Sequence, residues 1–346
     1  MIKIKPFVVL GAVLIALTLI IPAILVIPFS DQHRASGKLG EELTKTPVKQ
    51  AKAVPASSDP AVEVAVFRTA RSTIESVQLE DYLVGVVAAE MPVDFKEEAL
   101  KAQALTARTY IVNRLINKDT LDSVPKGAQV TDTQVHQVYM NDAEQRQDWG
   151  VNYEWKKKKI LDAVRSTAGQ ILTYDGKPID ALFFSTGNGY TENSEDVWKG
   201  KFPYLRSVSS PWDKKSPKYN SQKVMSVHEF ETRLGVNIGS GSTIGKIVDR
   251  TEGKRVAKVD FNGKALTGIQ IREKLELRSS DFAWKRKGDN IVITTKGFGH
   301  GVGMSQYGAN GMAQEGKSYQ EIVKYYYKGV KITSADHMLD TVTAKK

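Results

Sequence analysis

Cysteine is absent from the 346-residue chain, which removes disulfides, thiolate nucleophiles and thiolate-rich zinc sites from consideration. Histidine is scarce: His33, His136, His228, His300 and His337 fall in no ligand spacing, so no metal centre and no cofactor is expected. Acidic residues are the minority, 39 against 49 Lys and Arg, for a net charge of +10. Outside a membrane, that balance suits anionic cell-wall polymers or lipid headgroups better than nucleic acid. No internal repeat is evident. The run KKKK at 156–159 reads as a solvated helix face, not a binding patch.

One long stretch lacks charge altogether. From Pro6 to Phe29 no ionisable side chain occurs, a length sufficient to cross a bilayer with some tilt. Lys3 and Lys5 precede it, which predicts a cytoplasmic N-terminus. No A-x-A site closes the stretch, so residues 1–29 read as an uncleaved single-pass anchor and not a signal peptide. Residues 30–60 are polar and punctuated by Pro, as in a flexible tether. Residues 61–335 then form one large extracytoplasmic domain, and 336–346 a polar C-terminal tail.

Within that domain, VEVAVFR (62–68) and STIESVQL (72–79) alternate like paired strands. Two helical segments follow, to about Asn117. NYEWKKKKILDAVRSTAG reads as a helix stopped by Gly169. Hairpins are expected across Asp175-Gly176 and Gly288-Asp289, and a turn at Asn262-Gly263. Thr267 with Gln270, and Ser318 with Glu321, fit capping boxes. Helices interspersed with antiparallel hairpins predict an α+β fold over a doubly wound parallel sheet.

Three segments carry candidate chemistry. In AAEMPVDFKEEALKAQALTARTY (88–110), Glu90 closes an apolar run just ahead of a helix. Asp94 and Glu97 predict a capping box that starts this helix near Phe95. Lys101 and Arg108, seven residues apart, share one of its faces. One carboxylate with two cations suits acid/base work, and equally a surface ion pair. In LFFSTGNGYTENSEDVW (182–198) a strand breaks into a Gly-rich loop at Ser185. The serine-hydrolase reading fails, because no Gly stands two residues before Ser185. Tyr190, Trp198, Tyr204 and Trp212 beside polar groups suit sugar binding; a turn-rich connection is the alternative. In KGFGHGVGMSQYGANGMA (296–313) glycines alternate around His300. That spacing fits close backbone approach better than phosphate binding, and His300 is either a site residue or a structural histidine of the loop.

Together, AAEMP with KAQALTARTY, FFSTGNGYTENSEDVW and GFGHGVGMSQYGANGMA resemble the signature blocks of the stage II sporulation protein D family, over nearly all of 60–335. The resemblance implies a lytic transglycosylase that cleaves peptidoglycan glycan strands stripped of stem peptides. It also implies a membrane complex with the amidase and endopeptidase SpoIIP and the membrane protein SpoIIM, active in forespore engulfment. By the same resemblance the catalytic glutamate falls on Glu90, and Lys101, Arg108, Ser185 and His300 match further motif positions. Such an enzyme needs one carboxylate, because the sugar's own C6 hydroxyl attacks C1 and leaves a 1,6-anhydro end. Cations in contact with Glu90 would favour its ionised form, so at least one of Lys101 and Arg108 is expected to address substrate instead. Two rival readings stand: a non-catalytic wall-binding activator of a partner amidase, and a two-carboxylate muramidase using Glu192, Glu195 or Asp196.

Overall fold

The computed structural model describes residues 62–117, 124–241 and 243–343. The expected anchor and tether lie outside the described residues, among which no helix is long and apolar enough to cross a membrane. Strands β1 (Glu63–Arg68) and β2 (Thr73–Gln78) form the expected hairpin, in register from Glu63 against Gln78 to Arg68 against Thr73. Helix α1 (Leu79–Glu90) follows directly; it buries Tyr82, Leu83, Val84, Val86 and Val87 and ends ahead of Pro92.

Helix α2 (Glu97–Asn117) is the centre of the molecule. Ala99, Leu100, Ala102, Ala104, Leu105, Ala107, Ile111 and Val112 lie on all its sides and are fully buried, and the alanines let neighbouring elements approach closely. Its start differs from expectation: the helix begins at Glu97, without an Asp94 cap. Distant groups hold its first turn. The Lys96 amide donates to Asn310 Oδ1 at 2.9 Å, and Glu98 Oε2 accepts from the Tyr319 amide at 2.7 Å.

Around α2 pack α1, helix α3 (Asp142–Trp149) beyond it, helix α4 (Tyr153–Arg165) and strand β4 (Gln170–Tyr174). Short β3 (Val130–Thr131) joins β1 in parallel. β4 turns into β5 (Lys177–Pro178) through Asp175 and Gly176, whose φ of 50° and 75° are those a tight hairpin of this hand requires. Strand β6 (Phe183–Phe184) follows.

A second, smaller core lies between two antiparallel sheets. Its elements run β7 (Asn220–Ser226), α5 (Val227–Leu234), β8 (Lys246–Arg250), β9 (Val256–Phe261), β10 (Lys264–Thr267), α6 (Gly268–Lys274), β11 (Phe282–Lys287) and β12 (Asn290–Lys296). The sheets are ordered β11-β12-β7 and β10-β9-β8, and Phe230, Phe261, Phe282 and Trp284 interlock between them. Both expected turns and the Thr267–Gln270 capping box are present.

The chain then returns to the first core through β13 (Met304–Ser305), paired in parallel with β6. Helices α7 (Gln306–Gln314) and α8 (Tyr319–Tyr326), strand β14 (Lys331–Ser334) on β4, and α9 (Asp336–Thr343) complete it. Ser318 and Glu321 cap α8 as expected. Residues 336–343, read as a polar tail, are instead a helix whose Leu339 is buried in the first core. The architecture is α+β with mainly antiparallel pairing.

One crossing sets the site. Residues 139 and 140 pass directly over α1 at Gly85, where the Met140 amide donates to the Gly85 carbonyl at 3.3 Å. A Cβ at Gly85 would overlap the Tyr139 ring and the Met140 carbonyl. Gly85→Ala is therefore expected to cost about 1–3 kcal/mol in denaturant unfolding by pushing segment 134–140 off α1. Unchanged stability would show that the crossing is loose.

Candidate functional site

Glu90 closes α1, and both its backbone and its carboxyl are held. Gln306 Nε2, at the start of α7, donates to the Glu90 carbonyl at 3.0 Å. The Val138 amide donates to Glu90 Oε1 at 2.7 Å. Among the described residues no cation lies within ion-pairing distance of this carboxylate. Burial therefore dominates and raises its pKa to about 7, with the Val138 hydrogen bond pulling the other way. At neutral pH the group is poised between acid and base.

Glu90 faces a cleft of about 700 Å³ whose lining draws on the three segments that carry candidate chemistry and also on residues 134–138, Tyr110, Lys218 and Arg272. Ala89 and Glu90 come from the first, Phe183 to Ser185 and Trp198 from the second, and Phe298 to His300 and Gln306 from the third. β6 beside β13, with the backbone bridges Thr186–Phe298 and Glu192–Val302, draws the second and third together. Trp198, 43% exposed, presents its ring to the cleft and packs on His300 with centroids 5.0 Å apart. Trp198 thus offers an apolar face where a sugar ring could stack.

His300 is a neutral, oriented ring. Its Nδ1 accepts from the Val302 amide at 3.1 Å, which leaves the proton on Nε2. Burial, then the positive charges of Arg272 and Arg255, push its pKa down to about 3. The glycine rhythm has a concrete cause at Gly301. Its φ is +92°, and a Cβ there would strike the guanidinium of Arg255. That guanidinium lies under the loop, paired with buried Glu192 at 3.1 Å.

Several expected residues are elsewhere. Lys101 pairs along its own helix with Glu97 at 2.8 Å and Glu98 at 2.9 Å and does not line the cleft. Arg108 is wholly buried: it binds Glu80 at 2.7 Å and donates to the carbonyls of Thr167 and Val164, at the end of α4. Arg108 thus meets α1 and the end of α4 and not the cavity, and Lys101 is engaged on its own helix. Tyr204 is buried, and its hydroxyl accepts from the Asp180 amide. Tyr190, though exposed, stands outside the cleft lining, and Trp212 packs edge-on against Tyr325. Glu192 is bound by Arg255 and Glu195 by Arg206, and neither they nor Asp196 line the cavity. Of the lysine run, Lys159 donates to the Val93 and Phe95 carbonyls, so it braces the turn between α1 and α2.

The cleft's own cations, Lys218 and Arg272, escaped sequence reading. Neither sits in a motif; Arg272 looks like an ordinary basic residue in the last turn of a capped helix. His136 was set aside for lack of ligand spacing, yet it too lines the cleft. Thr131 holds its Nδ1, and burial followed by Arg114 pushes its pKa down to about 4.

The family model described as "Stage II sporulation protein" matches residues 68–174, which contain Glu90 and both its flanking helices. Similarity to whole proteins extends further. The chain is 52% identical over 343 residues to "Stage II sporulation protein D" of Bacillus subtilis (strain 168), covering 99% of this chain and 100% of that protein. It is likewise 52% identical over 344 residues to the protein so described in Bacillus amyloliquefaciens, with the same coverage. A more distant relative, "Amidase enhancer" of Bacillus subtilis (strain 168), is 30% identical over 306 residues, which span 73% of this chain and 40% of the relative.

Two stability measurements follow from this electrostatic layout. Arg108→Ala should destabilise by about 3 kcal/mol or more in denaturant titration; reduced glycan binding at unchanged stability would instead place Arg108 on substrate. For Glu90 the folded pKa is raised. Its stabilising contribution is thus complete below about pH 4.5 and lost as pH rises through about 7. Glu90→Gln should accordingly be the more stable protein at pH 8, by up to about 3 kcal/mol. That advantage should fade by pH 5.

Proposed function

The chain belongs to the stage II sporulation protein D family, a family of sporulation proteins, and we propose that it is a lytic transglycosylase of peptidoglycan. In this reading it cleaves the bond between N-acetylmuramic acid and N-acetylglucosamine in strands that lack stem peptides. The observation that carries the reading is Glu90: among the described residues it is the sole carboxylate lining a sugar-sized cleft, and its pKa is raised to about 7. Protonated Glu90 gives its proton to the glycosidic oxygen as the C1–O bond breaks. The C6 hydroxyl of the same muramic acid then bonds to C1, and Glu90, now a carboxylate, takes the hydroxyl proton. No water enters, and the acid is regenerated. A second carboxylate, which a hydrolytic muramidase would need, is missing from the described lining, since Glu192 and Glu195 are held by arginines.

Anchorage by residues 6–29, action in the space between the sporangial membranes, and work alongside SpoIIP and SpoIIM belong to the same proposal. The relative named "Amidase enhancer" favours a second reading, in which the domain grips glycan and activates an amidase without cutting. Mass spectrometry of products from denuded strands separates the two. The lytic reading expects 1,6-anhydro ends from the natural chain and their loss, by about 100-fold or more, in Glu90→Gln. Stimulation of an amidase without anhydro ends would establish the second reading. Because the acid must start protonated, kcat/KM should fall as pH rises above about 7; a rate still climbing at pH 8 would remove Glu90 as the acid.

A further inference from the structure

Lys218 and Arg272 are the two lysine or arginine side chains of the cleft lining, whose histidines, His136 and His300, have pKa values pushed down to about 4 and about 3. Both are half-buried. Among the described residues, neither has a carboxylate within 4.0 Å, in contrast to the half-buried Lys101, Lys157 and Arg206. Lys218 Nζ instead lies over the rings of Phe298 and Tyr307, at 5.7 and 6.0 Å. Arg272 is desolvated and further opposed by Arg255, both of which press its pKa down, while the more distant Glu273 pulls it up. A cation kept partly dry beside another cation, with no carboxylate in contact, is a costly arrangement. An anionic ligand would relieve it.

The cations are also set apart from the acid. Burial raises the pKa of Glu90 against the pull of the Val138 hydrogen bond, and neither Lys218 nor Arg272 is among the groups that shift it. Arg272 instead acts electrostatically on His300. The cleft thus holds a carboxyl together with two cations that make no ion pair with it. A muramyl residue has a matching polarity. Its reacting carbon is C1, and its one acidic group is the lactyl carboxylate on O3, across the ring. That carboxylate is free and charged when no stem peptide is attached; in a peptide-bearing residue it is an amide, neutral and followed by bulk.

We propose that Lys218 and Arg272 form an anion site that receives the free lactyl carboxylate of muramic acid and so selects strands from which stem peptides have been removed. The inference rests on the glycan reading above and names the residues that set its specificity. Phe298 and Trp198 supply apolar surface in the same cleft, Phe298 beside Lys218, so a sugar ring can be held while its charged arm reaches the cations.

The test changes one charge on the ligand. Denuded glycan oligomers are compared with the same oligomers after their lactyl carboxylates are converted to methylamides, using the full chain carrying Glu90→Gln so that binding is measured without turnover. The free-acid oligomers should bind at least about tenfold more tightly at low salt, with the margin shrinking as ionic strength rises. Adding K218Q and R272Q should bring the ratio close to one. Equal binding of acid and amide by the Glu90→Gln chain overturns the proposal, as does a preference that survives in the folded triple variant. If the triple variant fails to fold, K218Q and R272Q made one at a time on the Glu90→Gln chain decide the matter, since each should lower the carboxylate preference and an unchanged preference in both overturns the proposal. If the natural chain makes no anhydro ends while the carboxylate preference stands, the lytic reading fails and the anion site remains.

Discussion

A helix buried on every side must find partners for nearly all the polar groups it carries, and α2, whose buried Gln103 Nε2 is left without one, imposes that constraint on the whole first core. Its most demanding passenger is Arg108, which has no exposed surface and is neutralised by Glu80 while its remaining donors reach Thr167 and Val164. Those partners are the first turn of α1 and the C-terminal end of α4, so one guanidinium fixes two neighbouring helices to the third. Thr109 extends the pattern by accepting from the Leu172 amide of β4. Breaking such a pair strands a buried charge, at a cost far above that of a surface pair. Glu80 and Glu90 lie at opposite ends of α1, roughly 15 Å apart. Arg108 therefore bears on the candidate acid through the body of the helix and not through contact.

The site depends on keeping charges apart. A carboxyl intended as an acid near neutral pH needs burial without a cation, and Glu90 has that because Lys101 and Arg108 are engaged by Glu97, Glu98 and Glu80. The histidines are held neutral, with ring orientations set by Thr131 and by the Val302 amide. The unpaired positive charge of the cleft resides in Lys218 and Arg272. An arrangement in which the motif cations touched Glu90 would have held it ionised.

Three of the segments that line the cleft were legible in the sequence because each carries a local cause, whereas 134–138, Lys218 and Arg272 carry none. Glu90 ends an apolar run before a proline, Ser185 follows a strand end, and the glycines near His300 occupy backbone conformations that other residues strain to adopt. Hairpins at Asp175-Gly176 and Gly288-Asp289 and the caps at Thr267 and Ser318 were legible for the same reason. The cap at Asp94 was misread because Asn310 and Tyr319, more than 200 residues away, hold that helix start instead. The tail was misread because the burial of Leu339 depends on a surface supplied by distant elements.

By itself, then, the sequence determined the α+β class and several of the segments that line the cleft, since these follow from local spacing, turn chemistry and composition, while Glu90 was singled out by the resemblance of its motif. The tertiary structure alone decided which cations face the cleft. Helical spacing puts Lys101 and Arg108 on one face but cannot say what that face meets, and it met acidic partners and helix ends. Lys218 and Arg272 belong to no pattern and reach the cavity because the second core folds them against Phe298 and His300. The pKa of Glu90 is likewise a product of assembly: desolvation is a property of what surrounds a group, and those surroundings come from segments scattered along the chain.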